Sequence, residues 1–229
     1  MSSRSLVLAG VLSGLLFGCT VADYESKMLQ SQIRLQKLDE YAASLDQALQ
    51  IPPRDDKKGP IAKLYLRPPK GISQLASNPN DPRLRLFYTY PARQGNPPPA
   101  IQAVELAIGH MDKDFPKEVV AAFTPSAEPK RYPRNVQSPL RDKPITFQTF
   151  DFSDGQFFYS VNLWRGDEDR AQVAIVYRAQ LGQRPMVERQ IALSLETFGF
   201  GKEADRMFQI LQAVPLMPPL HPPHPTTQP

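Results

Sequence analysis

The chain has one cysteine, Cys19, among 229 residues. No intramolecular disulfide can form. Glycine is scarce, at 12 against 25 prolines, so the loops read as stiff rather than floppy. A strong excess of either charge is missing too. The net charge is +4, with cations and anions interspersed, unlike the clustered cations of a nucleic-acid binder. The apolar run over 6–17 is too short for a transmembrane helix, which needs about 20 residues. The sequence contains no Gly-x-Ser-x-Gly elbow, no P-loop and no His-Glu-x-x-His, so the common signatures of hydrolases, nucleotide enzymes and zinc proteases are missing.

What is present begins at the N-terminus. One cation, Arg4, precedes the apolar run, which ends in small residues, and Asp23, Glu25 and Lys27 follow. That is the layout of a secretory signal. Its ending, Leu16-Phe17-Gly18-Cys19, resembles the lipobox of bacterial lipoproteins. Leu16, Gly18 and Cys19 match the pattern, and Phe17 is bulkier than the usual residue. The resemblance implies a signal peptide over 1–18 and lipidation at Cys19, which becomes the first residue of the mature chain. Membrane lipid is then a partner through the acylated Cys19, and the body sits in the cell envelope facing the periplasm. Thr20 stands where the family's inner-membrane retention signal would place Asp, which favours the outer membrane. Each buried methylene adds roughly 0.8 kcal/mol of membrane affinity, and two or more chains hold stably where one does not.

Residues 22–50 contain neither Gly nor Pro and favour helix. Tyr24, Met28, Leu35, Leu38, Ala42, Leu45 and Leu49 recur in steps of four and three, with Ser31 as the polar lapse. That spacing predicts a helical, coiled-coil-like stalk over 19–51. The seam either makes a homo-oligomer through the 24–49 helix or packs on its own domain. Ile51-Pro52-Pro53 ends the helix, because a residue before proline avoids helical angles.

A charged linker is expected over 52–60, a globular domain over 61–212 and a Pro-rich disordered tail over 213–229. Within the domain, alternation predicts strands over 61–67, 84–90 and 101–109. A helix over 114–123 follows, with Asp114 as N-cap, and then an irregular Pro-rich stretch over 124–144. Asp154-Gly155 between the aromatic runs 145–152 and 156–164 is a hairpin signal. A third strand over 171–179 makes an antiparallel meander. A helix from Pro185 buries Val187, Ile191, Leu195 and Phe198, with Gly199 as its stop, and 204–211 forms another short helix. The fold class is therefore α+β: an antiparallel sheet with one apolar face and helices packed on it, preceded by a long N-terminal helix. The element order over 61–200, with its closing stretches AQVAIVYRAQ and IALSLETFGFG, resembles the Mog1/PsbP-like folds. That resemblance implies a binding or assembly role.

Candidate chemistry is sparse. Gly199-Phe-Gly201-Lys-Glu-Ala204 spells a dinucleotide fingerprint but lacks the βαβ unit its mechanism requires, so it reads as a helix cap and turn. His221 and His224 lie in the tail without a carboxylate or cysteine beside them. His110 stands near Asp112 and Asp114 with no nucleophile in view. Asp151 and Asp154, and Asp167, Glu168 and Asp169, fall in hairpin turns and are expected to be wet. Trp164 with Phe150, Phe152, Phe157, Phe158 and Tyr159 could form an aromatic ligand surface. No catalytic, cofactor-binding or metal residue is assigned, and no cofactor is expected. The first expectation is a non-enzymatic, lipid-anchored envelope protein that binds another envelope protein. The alternative is a small-ligand or glycan-binding lipoprotein using the aromatic hairpin face. A hydrolase is the third class.

Overall fold

In the computed structural model the described residues are 4–56, 59–76, 87–95, 98–110, 114–166 and 171–212, the side chains of 4–20, 54–56, 59–61, 87 and 110 excepted. The chain divides into two compact units, Met1–Glu40 and Tyr41–Pro229. Residues 4–40 of the first are helical, as the three-and-four spacing predicts for the part from 19 onward. Its helix, α1 (Arg4–Ser44), completes its last turn in the second unit. Among the described residues no helix is long and apolar enough to cross a membrane.

The helix stops at Ser44, ahead of the predicted end. Leu49 and Ile51 instead form strand β1 (Leu49–Ile51), with Leu49 opposite Leu66 and Ile51 opposite Leu64. Nothing local breaks the helix. Tyr41, Leu45, Leu49 and Ile51 are all buried, so packing and strand pairing override a helical propensity worth only tenths of a kcal/mol per residue. The expected linker contains a small hairpin, β2 (Arg54–Asp56) against β3 (Gly59–Ile61). Strand β4 (Leu64–Leu66) follows.

The larger sheet takes β5 (Phe87–Pro91), β6 (Ile101–His110), β7 (Lys130–Val136), β8 (Ile145–Ser153), β9 (Phe157–Gly166) and β10 (Ala171–Gln180), with helix α2 (Phe115–Ala121) between β6 and β7. Its order is β5-β6-β10-β9-β8-β7, antiparallel throughout. Gly155 supplies the β8–β9 turn at φ +92°, a backbone that glycine adopts without steric cost. Strand β7 lies in the stretch expected to be irregular. It is an edge strand, one of the few places in a sheet where a proline such as Pro133 is tolerated.

Helix α3 (Arg184–Glu196), strand β11 (Gly199–Phe200) and helix α4 (Lys202–Gln212) complete the chain. Strand β11 joins β1 and β4 in a second, three-stranded sheet. An added Cβ at Gly199 would lie 2.8 Å from the Cα of Ala204, so glycine here lets the chain fold tightly back into α4. The fold is α+β, as expected. Both faces of the large sheet are apolar, however, rather than one. Val173, Ile175 and Tyr177 pack under Val187, Ile191, Leu195 and the small sheet. Ala174, Val176 and Val161 pack under Phe115 and Val119 of α2. Each buried Val, Leu, Ile or Phe contributes about 1.5–3 kcal/mol, and the alternation along β10 serves both layers. Two buried hydroxyls link β10, α3 and the residue after β4. Tyr177 Oη donates to Ser194 Oγ at 2.8 Å, and Ser194 Oγ donates to the Arg67 carbonyl at 2.6 Å.

Candidate functional site

Strand side chains alternate between faces. On β8, Thr146, Gln148, Phe150 and Phe152 therefore share the α2 side of the sheet. Arg131 of β7 stands opposite Phe150 and Pro133 opposite Gln148, while Leu163 of β9 stands opposite Gln148 on the other flank. Arg165, two residues beyond Leu163, lies on that same face. With only seven residues, α2 packs Phe115 and Val119 over Ala107, Ala174 and Val176. That places it above β6 and β10 and leaves the β7–β9 end of the face uncovered.

The result is a groove of about 910 Å³ between α2, the following loop and strands β7–β9. That volume is in the range of small-molecule sites. Its apolar surface comes from Val120, Phe150 and Leu163 with Pro125, Pro129 and Pro133. The loop is anchored by Ser126, whose N–H donates to the Ser153 carbonyl at 2.8 Å. Thr124 turns it at φ +46°, a strained backbone for a β-branched residue.

Among the described residues, three cations line the groove, Lys117, Arg131 and Arg165, with one carboxylate, Glu128. The Arg131 guanidinium lies 5.7 Å from the Phe150 ring centroid, a cation–π distance. Its Nη2 donates to Gln148 Oε1 at 3.1 Å. Thr146 Oγ1 donates to Asn135 Oδ1 at 2.8 Å, so the polar side chains of the floor are engaged with neighbours. Among the described residues, none of the three cations forms an ion pair.

The aromatic surface expected from the hairpin is divided between two layers. Trp164 faces α3, edge-on to Phe198 at 5.4 Å and tilted against Phe200 at 5.3 Å, and Phe158 belongs to the same core. Phe152 and Tyr159 stack at 5.3 Å under the loop after α2. Of the six aromatics, only Phe150 lines the groove.

Asp151 is not a wet turn residue. It lies inside β8, 4% exposed, and accepts hydrogen bonds from Arg184 Nη2 at 2.6 Å and Tyr132 Oη at 2.9 Å. Asp154 is the turn residue. Burial pushes its carboxyl pKa up, but the N–H groups of Phe157 and Gln156 and the Tyr159 hydroxyl outweigh that and hold it below the usual range. Asp114 precedes α2, but its side chain makes no cap hydrogen bond. His110 ends β6 opposite Ala171, with its side chain outside the described residues. Cys19 falls within α1, and its side chain is likewise outside them. Asp112, Asp167, Glu168, Asp169, His221 and His224 also lie outside the described residues, as does the tail over 213–229. Gly199, Gly201 and Ala204 form the tight turn into α4, with Gly201 at φ +58°. The sequence offers the scattered cations of 124–144 as a basic loop, solvated or touching anionic lipid head groups or polysaccharide, but the stretch gives no strand signal that would place Arg131 beside Phe150.

No protein-family model matches the chain, and no curated protein matches it. Solved structures do. The Saccharomyces cerevisiae Ran-binding protein Mog1p is similar at 9% identity over 72% of this chain and 91% of its own, with a TM-score of 0.38. A mutant form of Mog1 is similar at 8% identity over 65% of this chain and 86% of its own, with a TM-score of 0.37.

Proposed function

We propose that this is a lipid-anchored cell-envelope protein of structural or protein-interaction type, tethered through acylated Cys19 and facing the periplasm, with the outer membrane favoured by Thr20. The observation that carries the reading is the apolar surface of α1 just beyond the tether. Val21, Tyr24, Met28, Leu29, Ile33 and Leu35 are all exposed there. Apolar side chains in such number on one helix favour a partner surface. The partner is another envelope protein or a second copy of this chain. Self-association would use only the part of the seam before Tyr41, because Leu45 and Leu49 are taken up inside the second unit.

Two variants test this. Cys19→Ala should leave the membrane fraction after a carbonate wash, and its retention there rejects the tether. A Met28→Asp, Leu35→Asp double variant should lose the envelope protein that co-purifies with the unaltered chain from solubilised membranes. Unchanged co-purification and unchanged oligomeric state reject α1 as the interaction surface.

A second reading is supported by the groove beside Phe150: a lipoprotein that binds a small ligand or glycan on the aromatic hairpin face. Phe150→Ser should then abolish ligand retention without unfolding the chain, because Phe150 is only partly buried.

A further inference from the structure

The groove narrows the second reading to one class of ligand. Its floor is formed by β8 and β9, which are interior strands flanked by partners on both sides. From Gln148 to Phe150, β8 pairs with both β7 and β9, and its backbone N–H and C=O groups there are consumed by the ladders. The floor's polar side chains, Gln148 and Thr146, are engaged with Arg131 and Asn135. A peptide or a glycan laid on this floor would bring many polar groups that find no partner, and each buried unpaired group costs free energy. A hydrocarbon chain has no such requirement and gains by covering the partly buried Phe150 and Val120.

The rim sets the charge. Among the described residues, Lys117, Arg131 and Arg165 line the groove with Glu128 as the one carboxylate, and none of the three forms an ion pair. Such a rim attracts anions, and the planar guanidinium fork matches a carboxylate or phosphate head in two-point contact. We propose that the groove between α2 and the β7–β9 face binds a free single-chain anionic amphiphile. Its tail covers Phe150 and Val120, and its carboxylate or phosphate head meets the Arg131, Arg165 and Lys117 rim. This rests on the groove being a ligand site.

The test uses the full chain in neutral maltoside micelles, with photoactivatable dodecanoate and photoactivatable dodecylamine as probes. Crosslinks are mapped by mass spectrometry. The dodecanoate probe should label residues 116–165 at least ten-fold more than the amine. An Arg131→Glu, Arg165→Glu double variant should cut that labelling about ten-fold, and Lys70→Glu, outside the groove, should leave it unchanged. Equal labelling by both probes overturns the charge selection while leaving the groove as a ligand site. Absence of groove labelling by either probe overturns the amphiphile. The ligand-site reading is then decided separately, by whether Phe150→Ser alters binding on a glycan array. If the groove captures no free probe but the chain binds phosphatidylglycerol vesicles in a manner the double variant loses, the surface contacts a bilayer and the proposal falls.

Discussion

Tyr41 Oη donates a 2.6 Å hydrogen bond to Glu196 Oε2 and lies 3.2 Å from Ser138 Oγ. Tyr41 is fully buried, so this contact ties the last turn of α1 to the C-terminal end of α3. Tyr41→Phe keeps the ring and removes the hydroxyl, leaving its partners to find water at a closed site. The expected loss is about 1–3 kcal/mol in urea unfolding of the second unit. A change within about 0.3 kcal/mol would show that the hydroxyl contributes nothing net.

The same burial predicts alkaline sensitivity. Burial pushes the phenols of Tyr65 and Tyr90 up to about 12, with nearby Arg67 partly opposing the shift at Tyr65 and Tyr88 adding to it at Tyr90. Tyr41 is raised by burial and by its bond to Glu196, and Tyr177 is raised by burial. A phenol with a raised folded pKa binds its proton more tightly when folded. Its contribution is complete below the unfolded value near 10 and is lost as pH climbs toward the folded one. Stability should therefore be flat from about pH 7 to 9 and fall steeply above pH 10. Urea midpoints and tyrosinate absorbance measured together would check it: ionisation of these phenols should coincide with unfolding.

The apolar seam read as one stripe has two fates. Leu49 is buried in the core, whereas Leu35 is 62% exposed. Leu49→Ala should cost about 2–5 kcal/mol, and Leu35→Ala should stay within about 0.5 kcal/mol. Chemical denaturation of the two variants at low protein concentration separates them. Equal losses would mean that the helix continues past Ser44 in solution.

Asp154 organises the β8–β9 turn through the N–H groups of Gln156 and Phe157, at 2.8 and 2.7 Å. Asp154→Ala should cost about 1 kcal/mol at neutral pH. The carboxyl pKa is depressed in the fold, so its contribution is complete above the unfolded value near 4 and lost as pH falls through the folded one. The difference between variant and parent should accordingly shrink below pH 4. A difference that does not vary with pH would point to the turn backbone rather than to the charge.

Elements written in local pattern were legible. Asp154-Gly155 marked the β8–β9 hairpin, and the spacing of Val187, Ile191 and Leu195 marked α3, because turn chemistry and a 3.6-residue period are properties of short windows. The second sheet was not legible. Leu49 pairs with Leu66 and Gly199 with Tyr65, and no short window contains both partners. Strand β7 was hidden because Pro133 argues against a strand until the position proves to be an edge. The groove was half legible: Phe150 was among the aromatic candidates, but its juxtaposition with Arg131 depends on the β7–β8 register.

By itself, then, the chain's order of residues determined the α+β class, the long N-terminal helix, the hairpin and the covering helix α3, since each follows from periodicity and turn residues alone. It also carries the Cys19 motif, which is a matter of covalent chemistry rather than of folding. Only the tertiary structure decided where α1 ends, that both sheet faces are apolar, that Asp151 is buried against Arg184, and that three cations stand beside Phe150. Those outcomes depend on which distant segments pack together, and burial and charge neighbours are set by that packing.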